Sequence, residues 1–172
     1  DIAVSIQAFD ADSIAAEQIY DLSDLSEVVP GFGVSKSIGS GSAFLMRGIG
    51  SFGIGAAVTG SFVAAVNGHS VSESVMSDLG FIDLERIEVL KGPQGTLFGR
   101  NAVAGVVNLV TARPTDELGG YIDYEVGSLD RNLIKGAINV PISNDVRMRL
   151  AFAQNSRDGI VENLPVEDYF VL

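Results

Sequence analysis

The 172 residues contain no cysteine and no tryptophan, and histidine occurs once, as His69. Without cysteine there is no disulfide framework, no thiolate metal site and no cysteine nucleophile. One histidine cannot furnish a histidine-rich zinc site and leaves a Ser-His-Asp triad poorly supported, so no catalytic residue, metal or cofactor is expected. Basic residues are few: 11 Lys and Arg stand against 22 Asp and Glu, a formal charge of −11. Nucleic-acid binding needs a basic footprint on the phosphates, and polybasic docking to anionic lipid needs the same, so the charge argues against both. The opening Asp1-Ile2-Ala3-Val4 has neither a basic nor an apolar signal region. The chain is therefore expected to be mature, cut, or never exported. Between Arg47 and Glu73 no residue carries formal charge, a span long enough to cross a bilayer as a helix. Gly48, Gly50, Gly53, Gly55, Gly60 and Gly68 interrupt it. At about 1 kcal/mol per interior glycine relative to alanine, they favour strands and loops.

What the chain has in plenty is glycine, 20 residues, beside an apolar content of 47% that rules out a disordered chain. Residues 4–9 read as a strand. Residues 11–19 read as a helix that Asp12 or Asp10 can cap, and Leu22, Leu25, Val28 and Val29 repeat at helical spacing until Pro30-Gly31. Residues 33–38 and 43–47 read as strands around a Gly-Ser-Gly-Ser tip. Residues 62–66 form a strand closed by Asn67-Gly68, a hairpin-turn dipeptide. Residues 85–90 and 106–111 read as two more strands. The expected core includes Ile6, Leu25, Val66, Ile87, Val89, Val107 and Leu109.

After Pro114 the pattern changes. Ile122, Tyr124 and Val126 alternate with Asp123 and Glu125; Ile134, Ile138 and Val140 lie opposite Lys135 and Asn139; Val146, Met148, Leu150 and Phe152 lie opposite Arg147 and Arg149. Short links separate these runs, at residues 127–130 and 141–145. This is an antiparallel meander with one apolar and one charged face, a pattern shared by soluble sandwiches and transmembrane barrels.

The run from Ile87 to Asn108, IEVLKGPQGTLFGRNAVAGVVN, resembles the plug signature of TonB-dependent outer-membrane receptors. Further segments resemble the family in the same order. They are the opening strand, Leu25 to Gly31, Met46-Arg47-Gly48-Ile49-Gly50, Val66-Asn67-Gly68, Asp83 to Glu88, and Val110 to Pro114. The resemblance implies a mixed α/β plug domain over residues 1–114. Residues 115–172 then open a transmembrane β-barrel, with about three strands and an outer loop at 157–167. A barrel of about 22 strands exceeds this length, so the chain reads as an incomplete barrel. The family's TonB box lies upstream of the first plug strand.

The resemblance further implies import of a scarce nutrient, an iron-siderophore, cobalamin or similar, across the outer membrane of a Gram-negative bacterium. TonB would supply the energy, and the plug would gate its own barrel amid outer-membrane lipid. Arg47 and Lys91, with Arg100 as a further candidate, match plug positions that face glutamates on the barrel wall and lock plug to barrel. Lys91 stands where some members carry arginine, which removes a bidentate fork. Gly92, Pro93, Gln94, Gly95, Gly99 and Gly105 form the signature turn, its glycines marking either ordinary turns or close backbone approaches. Three loops, at about 37–42, 50–56 and 72–75, would face ligand, offering Ser40, Phe52, Ile54 and Glu73. Phe52 can equally pack into the plug core, and His69 reads as a surface residue beside its turn.

One rival reading is enzymatic. Gly48-Ile49-Gly50-Ser51-Phe52-Gly53 fits GxGxxG, and Glu73 lies twenty residues beyond Gly53, as in a soluble dinucleotide-binding domain. The residues after it form a poor helix, leaving no N-terminus for a pyrophosphate.

Overall fold

A computed structural model of the chain describes residues 5–37, 41–50, 62–72, 80–99 and 101–158. The chain divides into two units, Asp1–Pro114 and Thr115–Leu172.

The first unit begins with β1 (Ser5–Asp10), whose last residue caps α1 (Ala11–Ala16) by accepting from the Ser13 N–H at 2.9 Å. Hydrogen bonds from Ser13 hold the Asp10 carboxyl below the usual aspartate range. The helix stops short of the expected Ile19. Gln18 takes φ +54°, and the Ile19 N–H returns to the Ile14 carbonyl at 3.0 Å. That left-handed exit turns the Ile19 side chain into the core. Asp21 opens α2 (Leu22–Val28) with a reciprocal capping box: its carboxylate accepts from Ser23 and Asp24, and Asp24 accepts from the Asp21 N–H. Pro30 follows the last turn, and α2 buries Leu22 and Leu25.

Strands β2 (Phe32–Ser37), β3 (Gly41–Met46) and β4 (Ile49–Gly50) form a small antiparallel sheet. Arg47 and Gly48, at φ +53° and +76°, make the turn between β3 and β4. The GxGxxG reading fails at this turn. Its first glycine lies inside a hairpin and its second in a returning antiparallel strand, whereas a dinucleotide loop must run from a strand into a helix.

The larger sheet holds β5 (Phe62–Val66), β6 (His69–Val71), β7 (Leu84–Lys91) and β8 (Gly105–Thr111) together with β1, in the order β1-β7-β8-β5-β6. Only β5 and β8 run parallel. Asn67 and Gly68, both at positive φ, form the predicted turn before β6.

Phe9, Phe62, Ala64, Ile87, Val89, Val107 and Leu109 line the core face of this sheet. Against them pack Ile19, Leu22, Leu25 and Val29, with Phe32, Phe44 and Met46 of the small sheet. Phe32, Phe44 and Phe62 stack as a trio, centroids 5.4–6.4 Å apart. Val66 is half-buried against this core. Ile6 departs from expectation at 62% exposure. Phe9 pairs with Ile87 on the core face, so strand alternation puts Ile6, opposite Leu90, on the other face at the outermost strand. That second face has a smaller cluster of Val63, Ala65, Ala102 and Val106, with Leu90 and Phe98 at its rim.

In the second unit, β9 (Gly119–Gly127), β10 (Arg131–Pro141) and β11 (Arg147–Ser156) form the expected antiparallel meander, with β10 in the centre. The register puts Ile134 beside Tyr124 and Gln154, and Ile138 beside Gly120 and Leu150. On this face Ile122, Tyr124, Val126, Leu150 and Phe152 are all exposed. On the opposite face Lys135 stands across from Asp123, its Nζ 3.9 Å from both Asp123 Oδ2 and Glu125 Oε1. Val146 falls just outside β11, in the tight turn, with its N–H donated to the Ser143 carbonyl. Gly136 is required where it stands: a Cβ there would lie 2.8 Å from the Tyr121 carbonyl oxygen and 3.0 Å from the Phe152 ring.

Candidate functional site

The signature turn is a closed loop built largely from its own backbone. Lys91 and Gly105 are the last residues paired across β7 and β8. Beyond them the Gly92 N–H donates to the Ala104 carbonyl at 2.9 Å and the Gln94 N–H to the Ala102 carbonyl at 2.7 Å. Pro93 has no N–H and lies exposed. Gln94 then begins a single helical turn, α3 (Gly95–Phe98), and its carbonyl accepts from Leu97 and Phe98. Gly99, at φ +83°, ends it, and its own carbonyl accepts from the Ala102 N–H.

Gly105 is where two sheets meet. A Cβ there would lie 2.5 Å from the Leu90 carbonyl oxygen and 3.1 Å from Met46 Cγ. The missing side chain lets β3 arrive at the end of β7. Arg47, next after Met46, is thereby brought to the signature turn, its Nη1 4.0 Å from the position a Gly92 Cβ would occupy. Its backbone is fixed as well, by an N–H bond to the Gly31 carbonyl at 2.6 Å. Lys91, half-buried, donates from Nζ to Gln7 Oε1 at 3.0 Å. The fold thus brings Arg47 and the Lys91–Gly92 step together although 43 residues separate the two cations in sequence. Among the described residues no carboxylate pairs with either cation. Positive charge gathered at this turn can bind carboxylates presented from outside the unit.

Arg100, Ser40, Phe52, Ile54 and Glu73 lie outside the described residues, as do most of the three loops predicted to face ligand. His69 is exposed on β6, as expected beside its turn. Among the described residues no group of three or more His, Cys, Asp or Glu could hold a metal ion. Among the same residues no helix is long and apolar enough to cross a membrane, which does not bear on strands.

Sequence reasoning missed a polar network across the larger sheet. Asn108, buried on β8, donates to Glu88 Oε2 at 2.9 Å and accepts from the Gly68 N–H at 2.9 Å. Arg86 Nε donates to the other Glu88 oxygen at 2.7 Å and its guanidinium also pairs with Glu85. The Asn108 bond, with Arg86 behind it and burial opposing, holds the Glu88 carboxyl below the usual glutamate range; Glu88 in turn raises the Arg86 pKa. The signal in the sequence was an asparagine within an otherwise apolar strand.

The chain matches the family described as TonB-dependent Receptor Plug Domain over residues 1–106. It is 40% identical over 62 residues to the pesticin receptor of Yersinia pestis, an alignment covering 36% of this chain and 9% of that protein. It is 31% identical over 130 residues to the vitamin B12 transporter BtuB of Vibrio vulnificus, covering 74% of this chain and 21% of that one. Among solved structures, the ferric yersiniabactin uptake receptor FyuA from Yersinia pestis superposes with a TM-score of 0.80 at 25% identity. That superposition covers 88% of this chain and 24% of the receptor. The siderophore receptor PiuA from Acinetobacter baumannii shares the fold with a TM-score of 0.75. In each of these comparisons the matched part is about a quarter or less of the relative's length.

Proposed function

This chain belongs to the TonB-dependent receptor plug domain family, and from that premise we propose that it is the gate and first wall segment of an active transporter in a Gram-negative outer membrane. Its fold is a mixed α/β plug followed by antiparallel strands of a transmembrane β-barrel. The observation that carries the reading is this succession: a plug-family unit followed directly by a meander whose exposed face is apolar. A barrel of about 22 strands encloses a lumen that leaks unless a folded domain fills it.

In this reading residues 1–114 are the plug and residues 115–172 open the barrel. TonB, engaged upstream of β1, supplies the work that rearranges the plug, and a scarce nutrient passes inward. Among the named relatives, BtuB is a vitamin B12 transporter, FyuA a ferric yersiniabactin uptake receptor and PiuA a siderophore receptor, and we assign the cargo to the class of iron chelates and cobalamin. Arg47, Lys91 and Arg100 lock the plug to glutamates on the barrel's inner wall. The convergence of Arg47 and Lys91 on the signature turn supports this role. Ser40, Phe52, Ile54 and Glu73 are assigned to the ligand-facing loops.

Deletion of the gene in its host tests the reading. Uptake of a panel of radiolabelled ferric siderophores and of labelled cobalamin should fall for one compound, and the lost uptake should require TonB and a proton gradient. Undiminished uptake of the whole panel, or uptake indifferent to TonB, would refute it.

A further inference from the structure

Among the described residues of the second unit, Asn139 is the most buried polar side chain, 1% exposed on the charged face of β10. Its amide is used on a strap of backbone more than twenty residues earlier, where the second unit begins. Oδ1 accepts from the Thr115 N–H at 2.8 Å, and Nδ2 donates to the carbonyls of Thr115 at 2.9 Å and Glu117 at 2.5 Å. One acceptor and both donors of the carboxamide are engaged, a pattern no other neutral side chain of similar size can reproduce. An ion pair from Arg147 Nε to Asp116 ties the intervening residue to β11. The first residues of the second unit are thus bonded to two of its own strands.

We infer that Asn139 is a positioning residue that anchors the C-terminal tether of the plug to the barrel wall, making residues 115–117 a fixed point. The inference rests on the plug-and-barrel reading above. A chain joining two moving bodies usually contains a few residues free to absorb dihedral change. Residues 115–117 have no such freedom, because three hydrogen bonds and an ion pair must break before the strap can swing. Rearrangement of the plug during transport is therefore taken up N-terminal to Pro114, and the strap stays on the wall throughout.

Amide hydrogen exchange in the full-length protein, held in detergent micelles, tests this directly, since the Thr115 N–H is itself a bonded group. In the wild type this amide should be protected to the level of the β10 ladder. In Asn139→Leu its exchange should quicken about a hundredfold, as expected for the loss of several hydrogen bonds. The β10–β11 amides should keep their protection, and this contrast separates loss of an anchor from general loosening of the sheet. Asn139→Asp, which keeps the acceptor but sets a carboxylate against two carbonyls, should expose the strap as the leucine variant does. Thr115 exchanging like an open loop in the wild type overturns the inference, whether or not a variant folds. So does unchanged Thr115 protection in Asn139→Leu. Absence of transport in the wild type would instead defeat the functional reading and leave the anchor intact.

Discussion

Replacing Leu150 by arginine tests the membrane face of the meander most sharply. Leu150 stands opposite Ile138, with Met148 and Phe152 two residues to either side on the same face. It is 56% exposed, so its contact is with whatever surrounds the wall. Because it lies at the middle of this apolar row, an arginine there meets lipid near mid-depth, at a cost of roughly 2–4 kcal/mol. At about 1.4 kcal/mol per factor of ten, the folding equilibrium constant in the membrane should fall roughly 30- to 700-fold. Gln154 lies on the same face beyond Phe152, where the row turns polar; arginine there should cost about 0–1 kcal/mol. Ala151 points to the opposite face across from Ala137, and arginine there should be tolerated far better than at Leu150. The assay is refolding of the urea-denatured full-length protein into lipid vesicles, scored by the altered gel migration of the unheated folded form. Leu150→Ala supplies the baseline for lost packing alone. Equal folding of the variants at 150, 151 and 154 would refute the claim that this face meets lipid.

Three further outcomes follow from the plug. Gly105→Ala would force a Cβ against the Leu90 carbonyl at φ +159°. It should destabilise the unit by roughly 2–6 kcal/mol, the sum of backbone strain and overpacking, seen as lost amide protection in β7 and β8; full protection would remove the close-approach argument. Asn108→Leu strips a bond from Glu88 and leaves the Gly68 N–H without its partner, at a cost of about 2–4 kcal/mol. The Glu88 pKa is depressed in the folded state, so its contribution is present above the usual glutamate range and lost as pH falls through the folded value. The variant should therefore lose less stability on acidification than the wild type, and identical acid titrations would contradict this. Arg47→Ala combined with Lys91→Ala should raise passive entry of large antibiotics into cells. In the proposed lock, wall glutamates left unpaired would cost several kcal/mol where the site is dry, and unchanged permeability would remove the lock.

Much of this was readable in residue order because alternation and turn chemistry are local. The parity of Ile122, Tyr124 and Val126 against Asp123 and Glu125 placed both faces of β9, and Asn67-Gly68 placed its hairpin. Ile6 was misjudged because alternation assigns a residue to a face without saying whether anything covers that face. The early end of α1 depended on Gln18 adopting a left-handed conformation, which its side chain does not announce. The approach of Arg47 to Gly92 depends on how β3 packs at Gly105. Asn139 left no periodic trace, since its partners are backbone atoms on a distant segment and any residue there supplies the same groups.

The strand pairings also set an order of assembly. β1 meets β7 with Ser5 opposite Lys91, and β5 meets β8 in parallel with Phe62 opposite Gly105. Both close long loops, and loop-closure entropy makes such pairings slow to form. The hairpins of the meander join neighbours in sequence and close within microseconds once their register is available. The N-terminal unit therefore completes its sheet more slowly than the meander closes its hairpins. A precursor in that condition is still threadable: its larger sheet does not exist until residues beyond 105 have arrived. Under the proposed function, the delay built into this topology suits a domain that crosses one membrane unfolded before it comes to rest inside a second.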